Sequence, residues 1–534
     1  MARFFSKIEY MFMSSKRKLK SFDGIDWLIL VFIVVALICR LYILYFPFRF
    51  YSYLVLPGND AVSHLAMVKQ VLAGSWNSSY PLFFHAVIAF LSKTFSKSPL
   101  DTMLAVTPAL VVFPSIAIYY FAEKNFGRIT GLIAFVLGLW ANNYIMVSFG
   151  DGNYPNLLAA GFFMPIALAF LISTIKKPKW TNYLGFTVFT ALLALTHHLT
   201  ALLFAIILAI YFVTIAVWNR KEKITPGLKK IILFIAVALG AAAVILFLTP
   251  LREIFLTYFK LLLAQPERLG DASFTKLIDY SEYPAMVGNL VWFGGLISVI
   301  YLIYLLGKKK GEVNKPAILM ILVWFVVAYV LSRLPQSGLP GRFARETAWP
   351  LLLAFSVSLT YIFRSLKYNS QKIAAFGLIG FVIFLNMSQI NAGSYRTPEF
   401  FNSMIWFTAK DKEKTDFIKS ATQGGDKIVT NPTTPYFDMF VERKVYLPAP
   451  NLVSTPALFE SYVQANKVRY VFIGNETEAN PDSSVYPFFA DFEKITEFLQ
   501  TGIVQELKTK HAIIVQQFSD GSVLYKIDLV NKLK

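Results

Sequence analysis

Four short groups of polar residues are placed to do chemistry. Asp60 and His64 stand four residues apart, so on a helix they share one face. A carboxylate beside an imidazole makes a general-base or ion-handling pair. The plainer reading is a helix-capping Asp and a solvated His. The second group is Gly150-Asp151-Gly152-Asn153-Tyr154-Pro155-Asn156. Asp151 sits between two glycines, where backbone amides can come close to a ligand, and the same residues also read as a simple Asp-Gly turn. Asp151, Asn153 and Tyr154 are candidates to touch an acceptor or a metal. The third group, His197-His198, interrupts what is otherwise one very long apolar run. It is either a tight interhelical turn or a ligand or metal contact, which adds His197 and His198 to the same candidates. The fourth is Gly338-Leu339-Pro340-Gly341-Arg342-Phe343-Ala344-Arg345-Glu346. Arg342 and Arg345 flank an apolar run and suit a phosphate clamp, because guanidinium groups bind phosphate bidentately. Interface anchoring is the alternative. No His-x-x-x-His or cysteine pair supports a structural zinc site. Oxygen ligands such as the two Asp would suit Mg²⁺ or Mn²⁺.

The elements that must position these groups are membrane helices. The chain has 534 residues, 56% of them hydrophobic, more than a soluble protein of this length buries. Apolar runs of about 20 residues recur, as membrane spans require. They are expected at roughly 27–46, 100–121, 129–148, 156–175, 181–196, 198–218, 229–249, 286–306, 316–333, 346–363 and 372–390, about eleven in all. The run from Tyr80-Pro81 to Leu91 is short for a span and is expected to lie in the outer interface. The formal charge of +19 is read as membrane topology. No basic patch with interleaved aromatics marks a nucleic-acid partner. Cys39 is the single cysteine, so disulfides are excluded.

The loops test this arrangement. Lys124/Arg128, Lys176-Lys177-Pro178-Lys179, Arg220-Lys221-Glu222-Lys223, Lys308-Lys309-Lys310 and Arg364/Lys367/Lys372 fall on one side. Each group is net basic, as cytoplasmic loops are. Residues 1–25 are then a basic cytoplasmic N-terminus, retained as part of an anchor. Residues 26–391 form a transmembrane domain with a first external loop at 47–99. Residues 392–534 form a soluble external domain. Strand-like runs at Lys427–Thr430, Val468–Ile473, Ala512–Gln517 and Ser522–Ile527 alternate with helical patterns near Glu399–Lys419, Thr455–Ala465 and Phe489–Gln500, which predicts an α/β fold. Leu251–Leu263 reads as an amphipathic interfacial helix. All four polar groups then meet the outer membrane face, and such a gathering predicts an outward-facing functional cavity.

The chain resembles the GT-C class of membrane glycosyltransferases, the superfamily of mannosyl-, arabinosyl- and oligosaccharyl-transferases. The detailed match runs from Gly58 to about Ala205: Asp60-x-x-x-His64, Tyr80-Pro81-Leu82-Phe83-Phe84-His85, Ala122-Glu123-Lys124-Asn125-Phe126-Gly127-Arg128, Gly152-Asn153-Tyr154-Pro155-Asn156 and Leu195-Thr196-His197-His198-Leu199-Thr200-Ala201. The resemblance implies a GT-C-like multi-pass α-helical membrane protein with a C-terminal external α/β domain, acting on polyprenyl-phosphate-linked sugars. It implies that Asp60 is the catalytic base or a metal-associated carboxylate. Asp151 takes the place of a second acidic motif, and Arg342 that of the arginine on the donor phosphate. Two departures stand out. The Trp-Trp-Asp-Tyr-Gly motif of oligosaccharyltransferases is missing where Met404-Ile405-Trp406-Phe407 leads to Ile428-Val429-Thr430-Asn431-Pro432, and the second acidic group is a single Asp.

The expected activity is sugar transfer from a polyprenyl-phosphate donor to an acceptor hydroxyl on a glycan, lipid or protein, among membrane lipids at the outer face. Arg342 and Arg345 hold the phosphate, Asp60 takes the acceptor's proton, His64 orients Asp60 or the acceptor, and direct attack inverts the anomeric centre. The alternatives are oligosaccharyltransferase-like transfer of a lipid-linked glycan, or a non-enzymatic transporter or scaffold. The spans carry almost no charge and show no internal repeat, which speaks against a transporter.

Overall fold

The computed structural model describes residues 24–50, 54–57, 59–75, 80–218, 277–308, 313–335, 340–366, 407, 409–430, 437–446, 456–473 and 512–527, with positions 377 and 380. Helix α1 spans Gly24–Phe50, α2 Asn59–Leu72, α3 Phe83–Phe95, α4 Pro99–Phe126, α5 Arg128–Trp140 and α6 Asn143–Gly150. Then α7 (Tyr154–Leu157) passes through a π-helical turn at Leu158–Phe163 into α8 (Met164–Lys176). After these come α9 (Trp180–Thr196), α10 (His198–Trp218), α11 (Tyr283–Val287), α12 (Asn289–Leu306), α13 (Lys315–Ser332), α14 (Pro340–Glu346) and α15 (Ala348–Ser365). Among the described residues, seven helical stretches are long and apolar enough to cross a membrane. The protein is a multi-pass α-helical membrane protein. The expected spans at 229–249 and 372–390 and the helix at 251–263 lie outside the described residues, apart from positions 377 and 380.

Local sequence explains where these helices start and pack. Helix α4 begins with Ser98 as N-cap, its side chain accepting from the Asp101 backbone N–H at 3.0 Å, and Pro99 follows in the first turn. In lipid, apolar attraction between helices is weak, so close packing uses small residues. Gly161 is one: a Cβ there would lie 2.7 Å from both Pro114 and Trp349. The Pro114 side chain of α4 and the Trp349 side chain of α15 therefore press on the backbone of the π turn with no room to spare. Leu30, Val31, Phe32, Val35, Ile38, Ile297 and Ile300 are exposed, as a lipid-facing surface requires.

The basic ends of several helices gather at one end of the bundle. Arg364 donates to the Phe126 carbonyl at 3.2 Å, and Asn314 Nδ2 donates to the Asn125 carbonyl at 3.0 Å. The end of α4 thus meets the start of α13 and the end of α15. The helix that carries Arg342 and Arg345 lies between the opposite ends of α13 and α15. Helix α3 has 13 residues, about 20 Å of helix against a hydrocarbon core of about 30 Å. It is too short to span, in keeping with the interfacial reading. It buries Phe84, His85, Ile88, Ala89 and Ser92 and leaves Phe90 and Phe95 exposed.

The C-terminal region contains a five-stranded mixed sheet. Strands β1 (Lys427–Thr430), β2 (Lys444–Tyr446), β3 (Tyr470–Ile473), β4 (Ile513–Gln517) and β5 (Val523–Lys526) lie in the order β2-β1-β3-β5-β4. Strand β1 is parallel to β2 and β3, while β5 is antiparallel to β3 and β4. Helices α16 (Ala409–Ala421), α17 (Phe437–Val441) and α18 (Pro456–Asn466) accompany it. The four strands read from the sequence are present, β1 with the same bounds and the other three trimmed at their ends. The short β2 is additional: its three residues are too few for an alternating pattern to show. The helical pattern near 489–500 lies outside the described residues.

Candidate active site

The start of α2 and the loop after α6 are locked together by one glycine. Gly152 has φ +79°, and a Cβ on it would come within 2.6 Å of the Ala61 backbone nitrogen and 3.2 Å of the Asp60 carbonyl carbon. Only glycine permits both that conformation and that approach. The contact sets Asp151 beside Asp60. Tyr154 adds a second tie, its hydroxyl donating to the Pro57 carbonyl at 3.1 Å. Asp60 lies in the first turn of α2, where a carboxylate meets the positive end of the helix dipole; the helix starts at Asn59, one residue before it.

Helix α14 brings the arginines. The sequence reading had Arg342 and Arg345 flanking an apolar run; the structure places them on this short helix, with Pro340 at its start. Arg342 Nη2 donates to Asp60 Oδ2 at 3.5 Å, and Arg345 Nη1 pairs with Asp151 Oδ2. Four charges from three distant segments form two adjacent ion pairs. Both pairs are partly exposed: the Arg342 and Asp60 side chains are 29% and 40% accessible. An incoming ligand can therefore reach them. Burial pushes the Asp60 carboxyl above its ordinary value of 3.8, Arg342 opposes the rise, and Asp151 adds to it.

His64 faces away from Asp60, into a buried aromatic cluster. His85 Nδ1 lies 3.2 Å from the Pro81 carbonyl, which only accepts, so His85 carries its proton there. His85 Nε2 is then bare and accepts from His64 Nδ1–H at 3.0 Å. Tyr80 packs edge-on against His64, His85, His197 and His198, with centroids 5.5 to 5.9 Å away. Burial and the neighbouring His85 and Arg342 hold His64 well below its ordinary value, and burial brings His85 down to about 4. Both rings are neutral near pH 7.

His197 and Asn153 are buried, and Tyr154 is 2% exposed against Phe84, Phe149 and His64. His197 and His198 stack at 5.4 Å. Three further buried residues join the site. Glu346 Oε1 lies 2.9 Å from the Tyr144 hydroxyl, and Asn156 reaches Tyr144 at 3.0 Å. Glu346 carried a signal in the sequence, as an acid opening an apolar span. Tyr144 carried none, being one aromatic among many within an apolar run.

Among the described residues no three His, Cys, Asp or Glu side chains gather to hold a metal ion, and each Asp of the site already faces a guanidinium. The arrangement is instead a mixed-charge surface in which two arginines and two carboxylates border a set of neutral imidazoles. Such a surface can bind an anion and accept a proton a few ångströms apart.

No family model matches the chain, and no curated protein matches it. Several solved structures are similar. The oligosaccharyltransferase AglB from Archaeoglobus fulgidus, in complex with an inhibitory peptide and a dolichol-phosphate, is 11% identical with a TM-score of 0.61, over 93% of this chain and 74% of that one. ArnT from Cupriavidus metallidurans, bound to undecaprenyl phosphate, is 11% identical with a TM-score of 0.55, over 94% of this chain and 98% of that one. The arabinofuranosyltransferase AftD from Mycobacteria is 13% identical with a TM-score of 0.56, over 93% of this chain and 40% of that one. Another structure of the Archaeoglobus enzyme holds Zn and sulfate. Identities this low speak to the fold alone, which the chain shares with these membrane transferases.

Proposed function

We propose that this protein is a membrane glycosyltransferase that moves a sugar from a polyprenyl-phosphate donor to an acceptor hydroxyl at the outer membrane face. The observation that carries the reading is the convergence of Asp60, Asp151, Arg342 and Arg345 in a fold whose relatives bind dolichol-phosphate and undecaprenyl phosphate. Arg342 has five N–H donors, enough to keep Asp60 and still clasp a phosphate. In the reaction, the acceptor oxygen attacks the anomeric carbon, and the bond from that carbon to the phosphate oxygen breaks. The electron pair leaves with the polyprenyl phosphate, whose charge Arg342 and Arg345 stabilise. Asp60 accepts the acceptor's proton. Displacement from the opposite side inverts the anomeric centre. Asn153 and Tyr154, in the Asp151 loop, border the acceptor side.

The basic loops support a cytoplasmic N-terminus and an external C-terminal domain over residues 392–534. That domain then covers the cavity and helps select the acceptor. The test uses purified full-length protein in lipid nanodiscs, supplied with polyprenyl-phosphate sugars extracted from membranes of its own host. Wild type should release polyprenyl phosphate in step with acceptor glycosylation, and Asp60→Asn should not. No release by folded wild type with that donor pool would defeat the proposal.

A further inference from the structure

Five buried polar side chains form one continuous hydrogen-bond chain beside the arginine helix. Glu346 Oε1 lies 2.9 Å from Tyr144 Oη, which lies 3.0 Å from Asn156 Nδ2. Asn156 Oδ1 lies 2.7 Å from Thr200 Oγ1, which lies 2.8 Å from His197 Nδ1. All five residues are at most 5% exposed. They come from α14, α6, α7, α10 and the residue that precedes α10.

Each hydroxyl has a single proton, so the chain runs one way or the other. With Glu346 ionised, each link points toward it, and His197 Nδ1 must donate to Thr200. With Glu346 protonated on Oε1, each link reverses. The Asn156 amide then turns about its last torsion, exchanging nitrogen and oxygen. Thr200 donates to His197 Nδ1, which must be bare.

The helix end decides between them. His197 precedes α10, and the Thr200 backbone N–H lies 3.2 Å from His197 Nδ1. That N–H belongs to the first turn, where helix donors lack partners, so the ring serves as the cap. Only a bare Nδ1 accepts it. The same arrangement spares the protein a buried carboxylate at Glu346, and it leaves no third anion to compete for the two arginines.

Neutral His197 therefore carries its proton on Nε2. That atom is buried and has no hydrogen-bond partner among the described residues. The positive charge of Arg342 reaches the same ring. A buried N–H donor without an acceptor, on a ring that feels a guanidinium's charge, is half of an anion site. We propose that His197 Nε2–H is a second hydrogen-bond donor to the phosphate of the lipid-linked donor, held in that tautomer by the chain that ends at protonated Glu346. This inference rests on the lipid-phosphate reading above. Tyr144, Asn156, Thr200 and Glu346 are positioning residues, since they act through His197.

The test reads the tautomer directly. The chain has five histidines, so ¹⁵N-histidine labelling of the full-length protein, with one single-site replacement, assigns His197 by solid-state NMR. The free protein should show the neutral Nε2–H form, and Glu346→Gln, which keeps a donor toward Tyr144, should preserve it. Undecaprenyl phosphate should shift the Nε2 resonance; undecaprenol and inorganic phosphate at equal concentration should not. His197→Asn keeps a capping oxygen but loses the Nε2 donor, and should raise the Kd for undecaprenyl phosphate about tenfold or more. An Nδ1–H tautomer in the free protein overturns the inference. So does a His197→Asn Kd within twofold of wild type. A shift with inorganic phosphate alone assigns the site to a free anion and overturns the lipid-donor assignment. If the Nε2–H form is present but wild type binds no undecaprenyl phosphate, the lipid-phosphate reading itself fails.

Discussion

Arg342 Nη2 lies 3.5 Å from Asp60 Oδ2 although 282 positions separate the two residues. The proposed phosphate ligand thus touches the proposed base. Replacing Asp60 by Asn keeps the side-chain shape and a hydrogen bond to Arg342 but removes the proton acceptor. Turnover should fall about 10²- to 10⁴-fold, with donor affinity changed far less. Steady-state kinetics and donor binding on the same preparation check this. A kcat within a few fold of wild type would remove Asp60 from the chemistry.

The pH profile should report Asp60 with a definite sign. Burial raises its carboxyl above 3.8 and Arg342 opposes that rise. The base works only when deprotonated, so kcat/KM climbs as pH rises through this group. Arg342→Gln removes the main opposing charge and should move the climb to higher pH, beside its loss of donor binding. A climb that stays in place or moves to lower pH would contradict the pairing.

Gly152→Ala should damage both the fold and the site. Its Cβ would sit 2.6 Å from the Ala61 nitrogen, in a conformation with φ +79°. Gly74 offers the comparison: φ is +67°, and a Cβ there would meet nothing within 4 Å. Gly74→Ala should cost about 1–2 kcal/mol from backbone strain alone. Gly152→Ala should lower Tm further and cut turnover, because any shift of this loop separates Asp151 from Asp60. Thermal melts and transfer assays on both variants make the comparison.

Stability should fall on acidification through the histidine cluster. His85 titrates near 4 in the folded protein against an ordinary 6.5, so the unfolded chain binds the extra proton between those values. The neutral imidazole's contribution is complete above pH 6.5 and lost as pH drops toward 4, by up to about 3 kcal/mol. His85→Asn should flatten the fall of Tm over that window. An unchanged slope would mean that His85 does not stay neutral there.

The sequence carried much of this. Apolar runs near 20 residues located nine helices, because a bilayer demands that length in the chain itself. The four polar groups were legible for the related reason that polar residues at span ends stand out against apolar surroundings. Asp60, Asp151 and Arg342 could be named singly, but not as neighbours. Their meeting depends on how Gly152 packs against Ala61 and how α14 turns, and neither has a local signature. His64 shows the limit of spacing: four residues from Asp60 on one helix, it bonds to His85 from another. The π turn at Leu158–Phe163 was also hidden, since apolar periodicity over six residues does not separate it from an α-helix.

The most direct test of the central claim is a mass-spectrometric profile of glycans and lipid-linked saccharides in cells lacking this protein. The strain is rescued with wild type or with Asp60→Asn at matched membrane levels. The account predicts that wild type restores a missing sugar, while Asp60→Asn leaves it missing and a polyprenyl-phosphate sugar accumulates. The mass difference then identifies the sugar. Equal rescue by Asp60→Asn would contradict the account and leave Asp60 as part of a helix start.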